Sequence, residues 1–206
     1  MKLYQNPNST NARRARLTAA VLGIELDEVL VDLGKGEHKR PDYLALNPNG
    51  AVPTLVDGDF VLTESRVIMQ YLAAKRPESG LLPSDDKARF EVVRWQFWDA
   101  AHFSPAVGSV FFEKILKRMF GLGEPDPARI AEGLANHRRF TAVLNGQLAN
   151  RSYVVGDAVT LADLTLATSL MYEKILELPI AEFPNVESWL RRMTALEAWK
   201  KTDPAR

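Results

Sequence analysis

The hydrophobic periodicity of the chain changes once, at the Pro-, Ser- and Gly-containing segment 77–83. Before it, short strand-like runs alternate with runs of helical spacing; after it, strand signals nearly vanish. Residues 2–4 read as a strand and Asn6-Pro7-Asn8-Ser9-Thr10 as a loop ending on a helix N-cap. A helix follows over 12–22, with apolar Ala15, Ala19 and Leu22, stopped by Gly23. Residues 25–31 alternate in part and read as a second strand, followed by a polar turn over 34–40. Residues 51–56 and 60–62 flank Asp57-Gly58, a dipeptide suited to a tight hairpin turn, and Thr63 is placed to cap a helix over 64–76. The expected order is βαβ followed by ββα. Beyond the segment, 86–120, 128–150, 161–176 and 186–200 all carry helical spacing. The expectation is an α/β N-terminal domain with a mixed four-stranded sheet over 1–77, a linker over 78–85 and an all-α helix bundle over 86–206.

Charge narrows the partner. The 26 basic and 26 acidic residues cancel, so no overall field recruits nucleic acid or an anionic membrane, and a small molecule is the expected ligand. No run approaches the ~20 apolar residues needed to span a bilayer, and MKLYQNPNST lacks the apolar stretch of a secretory signal; a cytoplasmic location is expected. There is no cysteine, which removes disulfides, Cys-based zinc sites and every mechanism using the protein's own thiol. Any sulfur chemistry must arrive with a ligand. His38, His102 and His137 are far apart and show no HExxH-type spacing, so no catalytic metal site is expected.

The segment Asn47-Pro48-Asn49-Gly50-Ala51-Val52-Pro53-Thr54-Leu55, followed after the hairpin by Glu64-Ser65-Arg66, resembles the glutathione transferase family, whose NPxGxVPxL segment carries a cis proline peptide. The second half adds Thr160-Leu161-Ala162-Asp163, similar to the capping box of that family's helical domain. Asn8-Ser9-Thr10-Asn11-Ala12-Arg13-Arg14, Gly36-Glu37-His38-Lys39, and Phe111-Phe112-Glu113-Lys114 with Met119-Phe120-Gly121-Leu122 look most like the phi class, known from plants and with bacterial relatives. Ala51 stands where that class has a glutamine, which removes one expected side-chain contact to the ligand. The resemblance implies a thioredoxin-like first domain, a helical second domain, a homodimer, and glutathione as substrate with no cofactor. It also implies a hydrophobic electrophile held between the two halves.

A thiol with pKa ~8.5 is mostly protonated at pH 7, so the protein must lower that pKa before sulfur attacks carbon. Ser9, at the start of the first helix, is typed for this: its hydroxyl can donate to sulfur while the helix N-terminus adds positive potential. Thr10 is the next choice and Tyr4, on the strand, the third. The main chain of Val52, before Pro53, can pair with an extended peptide, while Ser65 and Glu64 can meet the carboxylate and ammonium of a γ-glutamyl unit. By the resemblance, His38 and Lys39 bind the glycyl carboxylate, and Phe103, Val107 and Phe111 wall the co-substrate pocket. The same thiolate could serve a peroxidase or isomerase, and a non-catalytic carrier is the alternative of a different kind. A thiol-transferase is disfavoured because those relatives use a protein cysteine.

Overall fold

Alternation in Lys2–Gln5 turns Leu3 and Gln5 inward and makes this segment β1, an inner strand of a four-stranded mixed sheet. The computed structural model describes residues 1–204. After α1 (Thr10–Val21), β2 (Asp27–Leu30) lies parallel to β1, with Tyr4 opposite Val29. A six-residue helix, α2 (Pro41–Leu46), precedes β3 (Thr54–Asp57), which runs antiparallel to β1 and to β4 (Phe60–Leu62), giving the order β2-β1-β3-β4. The helix α3 (Ser65–Ala74) follows and packs against α1.

Local chemistry sets most of these boundaries. The glycine stop of α1 is a full Schellman motif: Gly23, at φ 64, donates to the Ala20 carbonyl at 3.4 Å and Ile24 donates to the Ala19 carbonyl at 2.9 Å. In the hairpin the loop residues are Gly58 and Asp59, one position later than expected, because Asp57 is still paired with Phe60; Gly58 takes the positive φ of 65. Thr63 does not cap α3. The cap position belongs to Glu64, held at φ 66 and ψ 106 with no side-chain bond to the helix, and the helix ends at Ala74. Helix α2 was not expected.

The structure divides the chain differently from the 1–77, 78–85 and 86–206 scheme. One unit is Met1–Ser84 together with the chain from Thr194 onward; the other is Asp85–Met193. In the second unit, α4 (Asp86–Trp98), α5 (Ser104–Phe111) and α6 (Lys117–Met119) are joined by wide π-type turns at Asp99–Phe103 and Phe112–Leu116. Next come α7 (Pro127–Gln147), α8 (Leu161–Ser169), α9 (Glu173–Leu176) and α10 (Pro184–Thr194), so the expected helix 161–176 is broken in two. The helix expected over 186–200 is also two: α11 (Glu197–Lys201) belongs to the first unit and packs on α1. There Arg13 lies over the Trp199 ring at 4.0 Å and donates to the Trp199 carbonyl at 3.0 Å.

The capping box opening α8 is present: Asp163, fully buried, accepts from the Thr160 amide at 2.9 Å. Where α5 and α7 meet, Gly133 permits the approach, since a Cβ there would lie 2.4 Å from Ser109 Oγ and 2.8 Å from Val110 Cγ2. Among the described residues no helix is long and apolar enough to cross a membrane.

Candidate functional site

Ser9 sits immediately before α1 with extended backbone, and its Oγ accepts from the Ala12 amide at 3.2 Å. A hydroxyl has two lone pairs and one proton; the cap uses a lone pair, and the proton meets no acceptor among the described residues. Thr10 is the first residue inside the helix. Tyr4 is half-buried on β1, its ring edge-on to Tyr43 with centroids 6.0 Å apart.

The N-terminal ends of α1 and α3 meet. Ser65, buried at the first position of α3, donates to Asn11 Oδ1 at 3.4 Å, and Arg14 donates to the same oxygen. The first amides of a helix have no carbonyl partner within it, so two positive helix ends are brought together beside Ser9. Glu64, one residue earlier, is exposed at its positive φ.

Val52 and Pro53 are buried directly before β3, and the peptide between them is cis. Val52 packs in one cluster with Ala12, Val31 and Tyr43, which places it against the first turn of α1. His38 and Lys39 form a short 3-10 turn, Glu37–Lys39, that leans on the same loop: a Cβ at Gly50 would lie 3.0 Å from the His38 carbonyl oxygen. His38 is half-buried with its Nδ1 enclosed and without a hydrogen-bond partner, and Lys39 is exposed. Ser9, Val52, Pro53, Ser65 and the His38 turn therefore gather at one end of the first unit.

The three residues expected to wall a pocket in the second unit have different surroundings. Phe103 is fully buried, stacked on Trp98 with centroids 5.5 Å apart and tilted against His137 at 5.6 Å, so it supports a wall from behind and has no surface for a ligand. Val107 is also buried. Phe111 is half-buried and stacks on Tyr172 at 5.1 Å, a partner the sequence reading missed because Tyr172 lies in the break between α8 and α9. None of the three lines the groove of about 580 Å³ between α5 and α7, which is bounded by His102, Ser109, Phe112 and Phe140 among others.

A four-stranded βαβ–ββα unit carrying a serine-capped helix, a buried Val-Pro loop and a second helix start beside the first is the layout of a thioredoxin-like domain. The sequence matches the family models for the glutathione S-transferase N-terminal domain over residues 1–74 and C-terminal domain over 101–197. The chain belongs to the glutathione S-transferase family. It is 36% identical over 210 residues to glutathione S-transferase 3 of Zea mays, covering 98% of this chain and 92% of that protein. To glutathione S-transferase F10 of Arabidopsis thaliana it is 32% identical over 203 residues, covering 95% and 93%. The crystal structure of glutathione transferase F7 from Populus trichocarpa superposes with a TM-score of 0.90 at 28% identity, covering 98% of this chain and 96% of that one. These F-type relatives agree with the phi-class resemblance.

Proposed function

We propose that the chain conjugates the thiolate of reduced glutathione to hydrophobic electrophiles, with Ser9 holding the thiolate. The observation that carries this reading is the Ser9 hydroxyl, which caps α1 through a lone pair and keeps its proton for a sulfur placed at the helix end. Lowering a thiol pKa by two units needs roughly 2.7 kcal/mol. One hydrogen bond to a charged acceptor supplies about 1.5–3 kcal/mol and the helix end about 0.3–1 kcal/mol, which together suffice without a general base.

In this reading the main chain of Val52, before Pro53, pairs with the cysteinyl unit, the Ser65 amide holds the γ-glutamyl carboxylate together with the Ser65 hydroxyl, whose proton turns from Asn11 Oδ1 to the ligand, and Glu64 meets its ammonium. His38 and Lys39 take the glycyl carboxylate. With Ala51 in place of glutamine, affinity rests more heavily on these groups. Phe111, with Tyr172, offers the electrophile an aromatic wall, and Phe103 and Val107 back it. A cytoplasmic homodimer fits the family, and Phe90 and Phe97, seven residues apart on α4 and about 70% exposed, are suited to a subunit contact.

The test is calorimetric titration of glutathione into the wild-type protein and the Ser9→Ala variant, with thiolate absorbance followed across pH. Binding to both, with a bound-thiol pKa well below the free value in wild type and close to it in the variant, is expected. No binding to wild type would transfer the weight to a non-catalytic carrier.

A further inference from the structure

The loop that presents Val52 is held from below by α2. Tyr43, buried on α2, donates its hydroxyl proton to the Ala51 carbonyl at 2.7 Å and lies 3.0 Å from Thr54 Oγ1. Its one proton goes to Ala51, so Thr54 is the donor in the second bond. Asn47, just past the end of α2, donates through Nδ2 to the same Ala51 carbonyl at 2.7 Å and is 3.2 Å from Thr54 Oγ1, while its Oδ1 accepts from the Asn49 amide at 3.1 Å. Both lone pairs of the Ala51 carbonyl are thereby occupied. Ala51 and Thr54 are the residues on either side of Val52 and Pro53, so the two site residues are pinned at both ends. The Tyr43 ring packs in the cluster that contains Val52 and Ala12, and meets the Tyr4 ring edge-on. One side chain therefore touches the Val52 loop, the first turn of α1 and β1.

We propose that Tyr43 is a positioning residue for glutathione: it fixes the Val52 main chain relative to the Ser9 end of α1 before the ligand arrives. This rests on the reading of Val52 and Ser9 as the site for the cysteinyl unit. A backbone edge held in its binding geometry loses little conformational freedom when the ligand pairs with it, whereas a loose one must be ordered on binding. Burial pushes the Tyr43 hydroxyl above the ordinary tyrosine value, so its donor proton persists through the range in which a thiol titrates.

Tyr43→Phe keeps the ring in its cluster and deletes only the hydroxyl; Thr54→Val is the matching change on the other partner. Both are to be compared with wild type by calorimetric titration of glutathione, by steady-state kinetics with a standard aryl halide electrophile, and by the pKa of the bound thiol. Tyr43→Phe is expected to raise the dissociation constant and KM for glutathione about five- to tenfold, the effect of one buried hydrogen bond, with kcat within about twofold of wild type and the bound-thiol pKa within about 0.3 unit of it. Thr54→Val is expected to move them in the same direction. Leu72→Val, in the core of the same unit, is expected to lower the melting temperature and to leave glutathione affinity unchanged. Wild-type affinity in Tyr43→Phe would overturn the proposal, as would an equal loss of affinity in Leu72→Val, which would mark the effect as general loosening. Failure of wild type itself to bind glutathione would overturn the site reading, and the role of Tyr43 with it.

Discussion

The indole Nε1 of Trp189 donates to Asp163 Oδ1 at 2.9 Å, joining α10 to the start of α8 inside the helical unit. The same oxygen accepts from the Val154 amide at 2.9 Å, and Oδ2 accepts from the amide and hydroxyl of Thr160, each at 2.9 Å. One buried carboxylate thus satisfies four donors from three segments, so its removal strands all of them.

Asp163→Ala is accordingly expected to lower stability by at least about 3 kcal/mol, because buried donors bonded to a charged group lose their acceptor together. Trp189→Phe removes a single donor and is expected to cost about 1–2 kcal/mol. Urea midpoints measure both, and an Asp163→Ala variant within 1 kcal/mol of wild type would contradict the assignment of Asp163 as the hub.

Gly133→Ala is expected to destabilise the helical unit by about 1–3 kcal/mol despite alanine's better helix propensity, because the new methyl would meet Ser109 Oγ and Val110 Cγ2. Ser109→Ala in the same chain removes the nearer obstacle and should recover part of the loss. Additive effects in that double-mutant cycle would show that the two side chains do not meet.

His137 is fully buried, with Thr141 Oγ1 about 3.3 Å from its ring and also bonded to its own carbonyl. Burial, reinforced by the Arg138 guanidinium, holds its pKa down at about 4. Between that value and ~6.5 the unfolded chain binds a proton that the folded chain refuses, so stability falls as pH drops through this window and the effect levels off below it. The loss is on the order of 3 kcal/mol. His137→Leu should be less sensitive to acid across that window, while Asp57, Glu113 and Glu182, whose carboxyls lie below their ordinary values beside Lys75, Lys117 and Arg138, take up their protons at lower pH in both proteins. Parallel pH profiles for the two proteins would count against a buried neutral imidazole.

At Ser9, capping and catalysis can be separated. Aspartate is as good an N-cap as serine, so Ser9→Asp should keep the melting temperature of wild type. An ionised carboxylate offers no proton to sulfur and repels a thiolate, so turnover at pH 7 should fall about 25-fold or more, the change in thiolate fraction when a pKa returns from ~6.5 to ~8.5. Unchanged turnover in a stable Ser9→Asp protein would move the thiolate partner elsewhere, with Thr10 next in line.

Glu64 combines strain with its proposed contact. A non-glycine residue at φ 66 and ψ 106 costs about 1–3 kcal/mol, so Glu64→Gly should stabilise the protein by about 1 kcal/mol after the extra entropy of glycine in the unfolded chain is subtracted. The same change removes the carboxylate offered to the glutathione ammonium and should weaken binding. A thermal melt with and without glutathione reads both effects, and a variant that is stabilised without losing affinity would remove Glu64 from the site.

Features governed by neighbours in the chain were legible beforehand. The Ser9 cap, the Gly23 stop, the Asn47–Leu55 segment and the Thr160–Asp163 box all depend on residue types a few positions apart. Helix α2 was missed because six residues are too few to show a period, although Pro41 after an extended Arg40 is a recognised helix start. Its loss from the reading hid Tyr43. Glu64 was passed over as the cap of α3 because nothing in a glutamate marks a positive φ, and Thr63 looked the better residue type. The wide turns in the α4–α6 segment leave no compositional trace, so Phe103, Val107 and Phe111 read as one stripe although only Phe111 retains exposed surface of any size. The placement of α11 depends on Arg13 finding Trp199, which no local pattern encodes.

That pairing bears on the order of events during synthesis. Arg13 is translated 186 residues before the carbonyl it donates to. At 5–20 residues per second the wait is roughly 10–40 s. Throughout it, the N-terminal unit has its sheet and its Ser9 end but not the helix that covers Arg13 and Arg16, so its final closure follows translation of the whole helical unit between them.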